Sequence, residues 1–349
     1  ILSCLVGSEM CIRDRGLLYG AALLHDIGHG PLSHTGEEMF GLHHEAWSAR
    51  VIRHHPEIHD CLESHASGTA EAVANLLEHG RSPHPLIKHL VSSQLDCDRL
   101  DYLLRDSYST GTRYGQLDLD RILGALTLAP DGDMAIHPKG LMAVEHYLVV
   151  RNLMYRSVYN HRLNVVCNWL LEKLILTARQ LGPEQVWADE VMATWLWQPD
   201  QIRLEDFLAN DDQRTGYHLQ RWQAEAPAAL AELSGRFLDR RLLKATAVEH
   251  LSPADQLQLL ATARRLADRH GHDPELCCGL RHQQLRGYHP YRGGLRLWDG
   301  QQLQALEKAS PLVASLATPA ATSWLIHPRD ISNELRQEMD VEWPRAAAA

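Results

Sequence analysis

The residues best suited to chemistry are His25 and Asp26, adjacent within AALLHDIGHGPLSHTGEE. The imidazole and carboxylate close an apolar run, and Gly28 and Pro31 follow at once. Charge placed there without a partner is costly, and a divalent metal ion is one of the few partners that satisfies both groups. The competing reading is a capping aspartate beside a solvated histidine. By ligand type the pair suits Mn, Fe, Zn or Ni, with Mg at a second, phosphate-linked position.

A second segment, QLDCDRLDYLLRDSYSTG, reads as a helix. At 3.6 residues per turn, Asp98, Tyr102, Asp106 and Arg99 fall within about 100° of one another, with Leu100, Leu103 and Leu104 opposite. Asp98 would add an oxygen ligand to the His-Asp pair; the plainer alternative is a charged surface helix with local Asp-Arg pairs. A third segment, VVRNLMYRSVYNHRL, sets Arg151, Tyr155, Tyr159 and Arg162 on one stripe about 80° wide. Arginine's planar fork matches phosphate oxygens, and tyrosine can stack on a base or bond a sugar, although snorkelling arginines at a helix interface give the same pattern. Finally, His29, His34, His43 and His44 cluster with Glu37 and Glu38. Histidine beside carboxylate is the usual way to hold an imidazole in one tautomer for proton transfer.

These residues need a helical scaffold. Residues 16 to about 125 read as helices with short polar turns: GLLYGAALLH as a buried helix, PLSHTGEEMF opening on Pro31, then EAWSARVIRHH, and TAEAVANLLEHG closing on Gly80. Asp131-Gly132 between two short apolar stretches signals a hairpin. A helical pattern from about Gly140 to Gly182 is long enough to contain a break. Beyond it, tryptophans (Trp187, Trp195, Trp197, Trp222) alternate with acidic patches, ADQLQLLATARRLADRHG is amphipathic, and GYHPYRGGLRLWDGQQL suggests a small strand or hairpin. The tail PRAAAA is expected to be disordered. The fold class is mainly α: a helical core with a small β-hairpin, then a mostly helical C-terminal region with short strands.

At 349 residues the chain holds one large or two ordinary domains. A net charge of -10 argues against a general nucleic-acid-coating role. No apolar run approaches the length of a bilayer span. Cys4, Cys11, Cys61, Cys97, Cys167, Cys277 and Cys278 form no CxxC pair and no disulfide framework, so a reduced, cytoplasmic setting is expected. The opening ILSCLVGSEMCIRDR carries its charges after a weak apolar stretch, unlike a signal peptide. It resembles translated sequencing adapter and is expected to be a non-native artefact over 1–15, followed by a core at 16–181 and the C-terminal region at 182–349.

HDIGHGPLSH, HHE, DCDRLDYLLRDSYSTG and RNLMYRSVYNHR, in that order, resemble the HD-domain superfamily, as do FLDRRLLKA and HPYRGGLRLWDG. The resemblance is closest to bacterial relatives of the deoxynucleoside triphosphate triphosphohydrolases. It implies hydrolysis of dNTPs to deoxynucleoside and inorganic triphosphate, with His25, Asp26 and Asp98 as metal ligands. It implies His34 as general acid supported by Glu37 and His44. It implies substrate contacts from His29, Arg99, Tyr102, Asp106, Arg151, Tyr155 and Tyr159, although Tyr155 stands where the human relative has histidine. A further ligand histidine on a preceding helix has no match in this chain, so impaired metal binding is expected. The implied partners are dNTPs, as substrate and as activator, and further copies of the chain. The alternatives are an HD phosphatase or phosphodiesterase acting on monophosphates or signalling nucleotides, and a non-catalytic nucleotide sensor.

Overall fold

The computed structural model describes residues 12–285, 287–290 and 294–342. In chain order its principal elements are α1 (Ile12–Leu24), α2 (His34–Phe40), α3 (His44–His54), α4 (Thr69–His79), α5 (Cys97–Thr110), β1 (Leu126–Leu128), β2 (Met134–Ile136), α6 (Leu141–Met154), α7 (Arg162–Leu181), α8 (Asp212–Glu225), β3 (Lys244–Ala247), β4 (Gly279–Leu285), β5 (Arg296–Trp298), β6 (Leu303–Ala305) and β7 (Ala320–His327). The mainly helical expectation holds. No helix among the described residues is long and apolar enough to cross a membrane.

Packing divides the chain into two interleaved units. One gathers the residues up to His29, His43–Tyr159 and Arg286–Pro319; the other gathers Gly30–Leu42, Asn160–Leu285 and the stretch from Ala320 on. This differs from the single division expected after residue 181. The long helix breaks at Asn160, and the two excursions, 30–42 and 286–319, find their neighbours far away in sequence. Of the opening segment treated as artefact, residues 1–11 lie outside the described residues, and Ile12–Arg15 form the start of α1. The tail 343–349 also lies outside them.

The first unit packs Leu17, Leu18 and Ala21 of α1, Ile52 of α3, Val73 of α4, Leu103 of α5, and Val144 and Leu148 of α6 into one core. Only one stripe of α1 is covered. Tyr19 and Leu23 are 59% and 82% exposed, so the helix is not buried all round as its composition suggested. The hairpin forms as expected: Leu126 to Leu128 pair antiparallel with Ile136 to Met134, and Gly132 takes φ 80° at the turn, a conformation that favours glycine. β5 and β6 make a second hairpin that joins β2 in parallel, giving the order β1-β2-β5-β6.

The second unit has a three-stranded antiparallel sheet, β3-β7-β4. Val248, Leu259, Leu266, Leu325, Ile331 and Leu335 form a core in this unit. Trp195 and Trp222 are buried, whereas Trp187 is 38% exposed. Pro31 does not open a helix. α2 starts at His34, because Leu32 and Ser33 adopt φ 63° and 54°, a left-handed turn that an L side chain enters only when its surroundings fix it.

His327, at the end of β7, is buried and neutral. Its Nδ1 donates to the Pro328 carbonyl at 2.7 Å, and Nε2 lies 2.9 Å from Thr246 Oγ1. Burial pushes its pKa down to about 4. The unfolded chain binds a proton near pH 6.5 that the folded chain refuses until about pH 4. Stability is therefore full above pH 6.5, falls as pH drops toward 4 and loses nothing more from this group below that. A loss of about 3 kcal/mol over the window is expected, and His327→Gln should flatten it in urea titrations at successive pH values.

Candidate active site

α1 delivers the His-Asp pair. The helix ends at Leu24, and a turn closes with Ile27 N donating to Leu24 O and His29 N to Asp26 O. This turn is clamped from α3. Gly28 N donates to Ser48 Oγ at 2.9 Å, and Ser48 Oγ donates to the His25 carbonyl at 2.6 Å. A Cβ on Gly28 would stand 2.1 Å from Ser48 N, so only glycine fits this approach.

The side chains of His25, Asp26 and Asp98 converge: His25 Nε2 lies 3.4 Å from Asp26 Oδ1 and 3.5 Å from Asp98 Oδ1. His25 Nδ1 lies 3.0 Å from the Ala22 carbonyl, which can only accept, so Nδ1 carries the proton and Nε2 faces the carboxylates. That nitrogen is buried and has no hydrogen-bond partner. The carboxylates, Asp98 foremost, raise the His25 pKa to about 9 against the opposing effect of burial. In turn His25 holds Asp98 below the usual carboxylate range. The pocket thus favours positive charge between one nitrogen and two oxygen donors, a set that fits a divalent ion. Two more imidazoles approach: His29 Nε2 and His44 Nε2 lie 3.7 and 4.0 Å from Asp26 Oδ1, with their rings stacked at 4.1 Å.

α5 continues from Asp98 toward Tyr102 and Asp106. Tyr159 donates to Asp106 Oδ2 at 2.7 Å, and the Tyr102 and Tyr155 hydroxyls lie 3.2 Å apart. Tyr155 and Tyr159 sit on a π-helical turn, Tyr155–Tyr159, that ends α6. Such turns recur at functional sites. Burial first, then Tyr155, pushes the Tyr102 phenol up; burial and the Asp106 bond do the same to Tyr159. Both stay protonated at neutral pH and act as donors, not bases.

Arg151 is buried, and its Nη1 donates to Gln94 Oε1 at 3.0 Å. The Tyr147 hydroxyl donates to the Gln94 carbonyl at 2.7 Å, so Gln94 anchors the arginine and the helix that carries it. The chain breaks at Asn160, so helical spacing counted from Arg151 does not extend to Arg162, which opens α7.

Arg99 turns inward. It pairs with Asp96 and donates to the Ser93 carbonyl at 2.7 Å. The local Asp-Arg pairing considered from the sequence therefore describes Arg99, and Arg105 with Asp101 as well. Asp96 is 1% exposed and also caps α5 by accepting from Arg99 N. Asp96→Ala should cost about 3 kcal/mol, the sum of a lost cap and a stranded guanidinium, read as a lower urea midpoint. Sequence reasoning passed over Asp96, although Asp just before a periodic apolar run, with a further acid (Asp98) in the first turn, is a helix-start signal. It also passed over Ser48 and Gln94, which announce themselves only through partners distant in sequence.

α2 carries His34 and Glu37. His34 is 75% exposed, and its Nδ1 donates to Glu37 Oε2 at 2.7 Å. The carboxylate fixes the tautomer and leaves Nε2 as the atom for proton exchange.

Two family descriptions cover most of the chain: an HD domain over residues 5–106 and an HD associated region over 117–327. The uncharacterised protein YwfO of Bacillus subtilis is 30% identical over 91% of this chain and 75% of its own length. A protein of Dictyostelium discoideum described as a deoxynucleoside triphosphate triphosphohydrolase SAMHD1 homolog is 25% identical over 49% of this chain and 35% of its own. The crystal structure of a phosphohydrolase from Bacteroides thetaiotaomicron matches with a TM-score of 0.79 at 24% identity, covering 93% of this chain and 82% of that one, and supports the fold. The chain belongs to the HD-domain family of metal-dependent phosphohydrolases.

Proposed function

We propose that the chain hydrolyses dNTPs to deoxynucleoside and inorganic triphosphate. What carries the reading is the face of α5, where Asp98 of the metal pocket is followed at one-turn intervals by Tyr102 and Asp106, bonded to Tyr155 and Tyr159. A row of neutral phenols beside a cation-seeking pocket suits a substrate with phosphate at one end and a sugar and base at the other. The likeness to the SAMHD1 homolog supports the same class.

His25, Asp26 and Asp98 would hold the ion. When bound, a divalent ion supplies Lewis-acid stabilisation of phosphoryl charge and acidifies water. Tyr102 donates a hydrogen bond to a sugar or phosphate oxygen, and Tyr159, its proton held by Asp106, accepts from a sugar hydroxyl. Arg151, held by Gln94, offsets charge on the phosphates. The bond between the α-phosphorus and the 5′ oxygen breaks; water adds its hydroxide to phosphorus and gives its proton to solvent, while His34 Nε2 delivers a proton to the departing oxygen and regains one from solvent afterwards. Glu37 steadies the imidazolium that does so.

The inward pairing of Arg99 favours a second reading, a phosphatase for nucleoside monophosphates, because it leaves fewer cations to meet a triphosphate. Anion-exchange separation of products decides between them. Triphosphate with free deoxynucleoside, from the four dNTPs singly or mixed with Mn or Mg, supports the first reading. Turnover only in mixtures adds nucleotide activation. Phosphate released from monophosphates alone supports the second, and binding without turnover would indicate a sensor.

A further inference from the structure

α2 bears the His34–Glu37 pair, yet the polar contacts that hold it come from residues 133 to 243 positions away. Leu32 N, in the left-handed turn before the helix, donates to Asp212 Oδ1 at 2.7 Å. Thr35 Oγ1 donates to Asn168 Oδ1 of α7 at 2.9 Å, and Arg179 Nη2 of α7 donates to the Phe40 carbonyl at 3.1 Å. Arg281 of β4 spans two carboxylates, pairing with Glu38 of α2 and reaching Glu172 Oε2 of α7 at 3.0 Å.

These contacts differ in what they fix. The Leu32 and Phe40 bonds engage backbone at the two ends of a seven-residue helix, so they set its position. The Thr35 and Glu38 bonds engage side chains on its body, so they set its rotation about its own axis. Glu38 follows Glu37 directly and lies four residues after His34, one turn along. A rotation that moves Glu38 away from Arg281 also swings His34 Nε2.

We propose that Arg281 is a positioning residue for proton transfer: through Glu38, and braced by Glu172, it fixes the rotation of α2 and so the direction in which His34 presents Nε2. The inference rests on the reading of His34 as the acid. It assigns to the HD-associated region a task in the reaction itself, beyond packing.

The test compares Arg281→Met, Glu38→Gln, their double variant, Arg281→Lys and His34→Ala. Each is assayed with the four dNTPs and Mn, and with p-nitrophenyl phosphate, alongside metal content and thermal melting. Arg264→Met, which breaks the unrelated pair with Glu275 in the same unit, is the control. Arg281→Met and Glu38→Gln should each lose about tenfold in kcat with KM and metal content little changed, since small displacements of a reacting group have effects of at least this size. The double variant should fall no further than the worse single one, because both act through one contact. Arg281→Lys, which keeps one charge for Glu38, should recover part of the loss.

Losses that multiply to about 100-fold in the double variant would overturn the proposal, as would a rise in KM with kcat unchanged. Unchanged kcat in both singles would do the same. If Arg281→Met fails to fold, Glu38→Gln decides alone, because Glu38 is 49% exposed and glutamine keeps its shape. Full turnover of dNTPs in His34→Ala would sink the reading of the acid itself. Loss in His34→Ala with none in Arg281→Met would sink the positioning role alone.

Discussion

Asp98→Ala should leave a folded protein that retains no more than about a tenth of the wild-type metal and turns over at least about 100-fold more slowly. Changes one shell further out in metal sites already have effects of about 10- to 100-fold, and Asp98 is one of the three groups of the pocket itself. Its carboxylate is 34% exposed and on a helix surface, so the fold loses little when it goes. Chelation of the wild-type protein should reproduce the loss, and added Mn should restore the wild type but not the variant. Elemental analysis alongside turnover checks both halves. Full metal content in Asp98→Ala would show that His29 or His44, whose nitrogens also approach Asp26, completes a different ligand set.

The second large effect belongs to His34. A positioned acid contributes about 10² to 10⁴ in rate, so His34→Ala should lower kcat by that range while leaving metal content intact. Glu37→Gln should fall less, because it weakens the hold on the tautomer without removing the proton carrier. The contrast with Asp98→Ala is the informative part: one variant loses activity with its metal, the other loses activity and keeps it. A substrate with a good leaving group, such as a nitrophenyl ester, should recover much of the His34→Ala loss, since its departing oxygen needs no proton. Equal losses on good and poor leaving groups would remove His34 from the acid role.

Local signals in the sequence were enough for the His-Asp turn, the Asp131-Gly132 hairpin and a break within the long helical pattern. Each depends on residues a few positions apart, where spacing and turn chemistry act directly. The mainly helical class followed from the same periodicities. Helical angle sets Arg99 beside Asp98 but does not show that its guanidinium also folds back to the cap three residues earlier. Pro31 read as a helix start, but Leu32 and Ser33 take a turn that the contact with Asp212 fixes from afar. Helical spacing could not carry the stripe from Arg151 to Arg162, because the helix is interrupted at Asn160. Ser48, Gln94 and Arg281 carry no local mark; only a distant partner gives each its task.

The interleaving of the two units also sets an order of events on the ribosome. Residues 286–319 complete the unit of His25, Asp26 and Asp98, which emerge much earlier. Helix α2 emerges with them but acquires its Arg281 brace 243 residues after Glu38. At about 5–20 residues per second, that is a delay of roughly 12–50 s. A chain stopped before Arg281 would therefore lack both the brace on the His34–Glu37 pair and the stretch that completes the unit of the metal pocket.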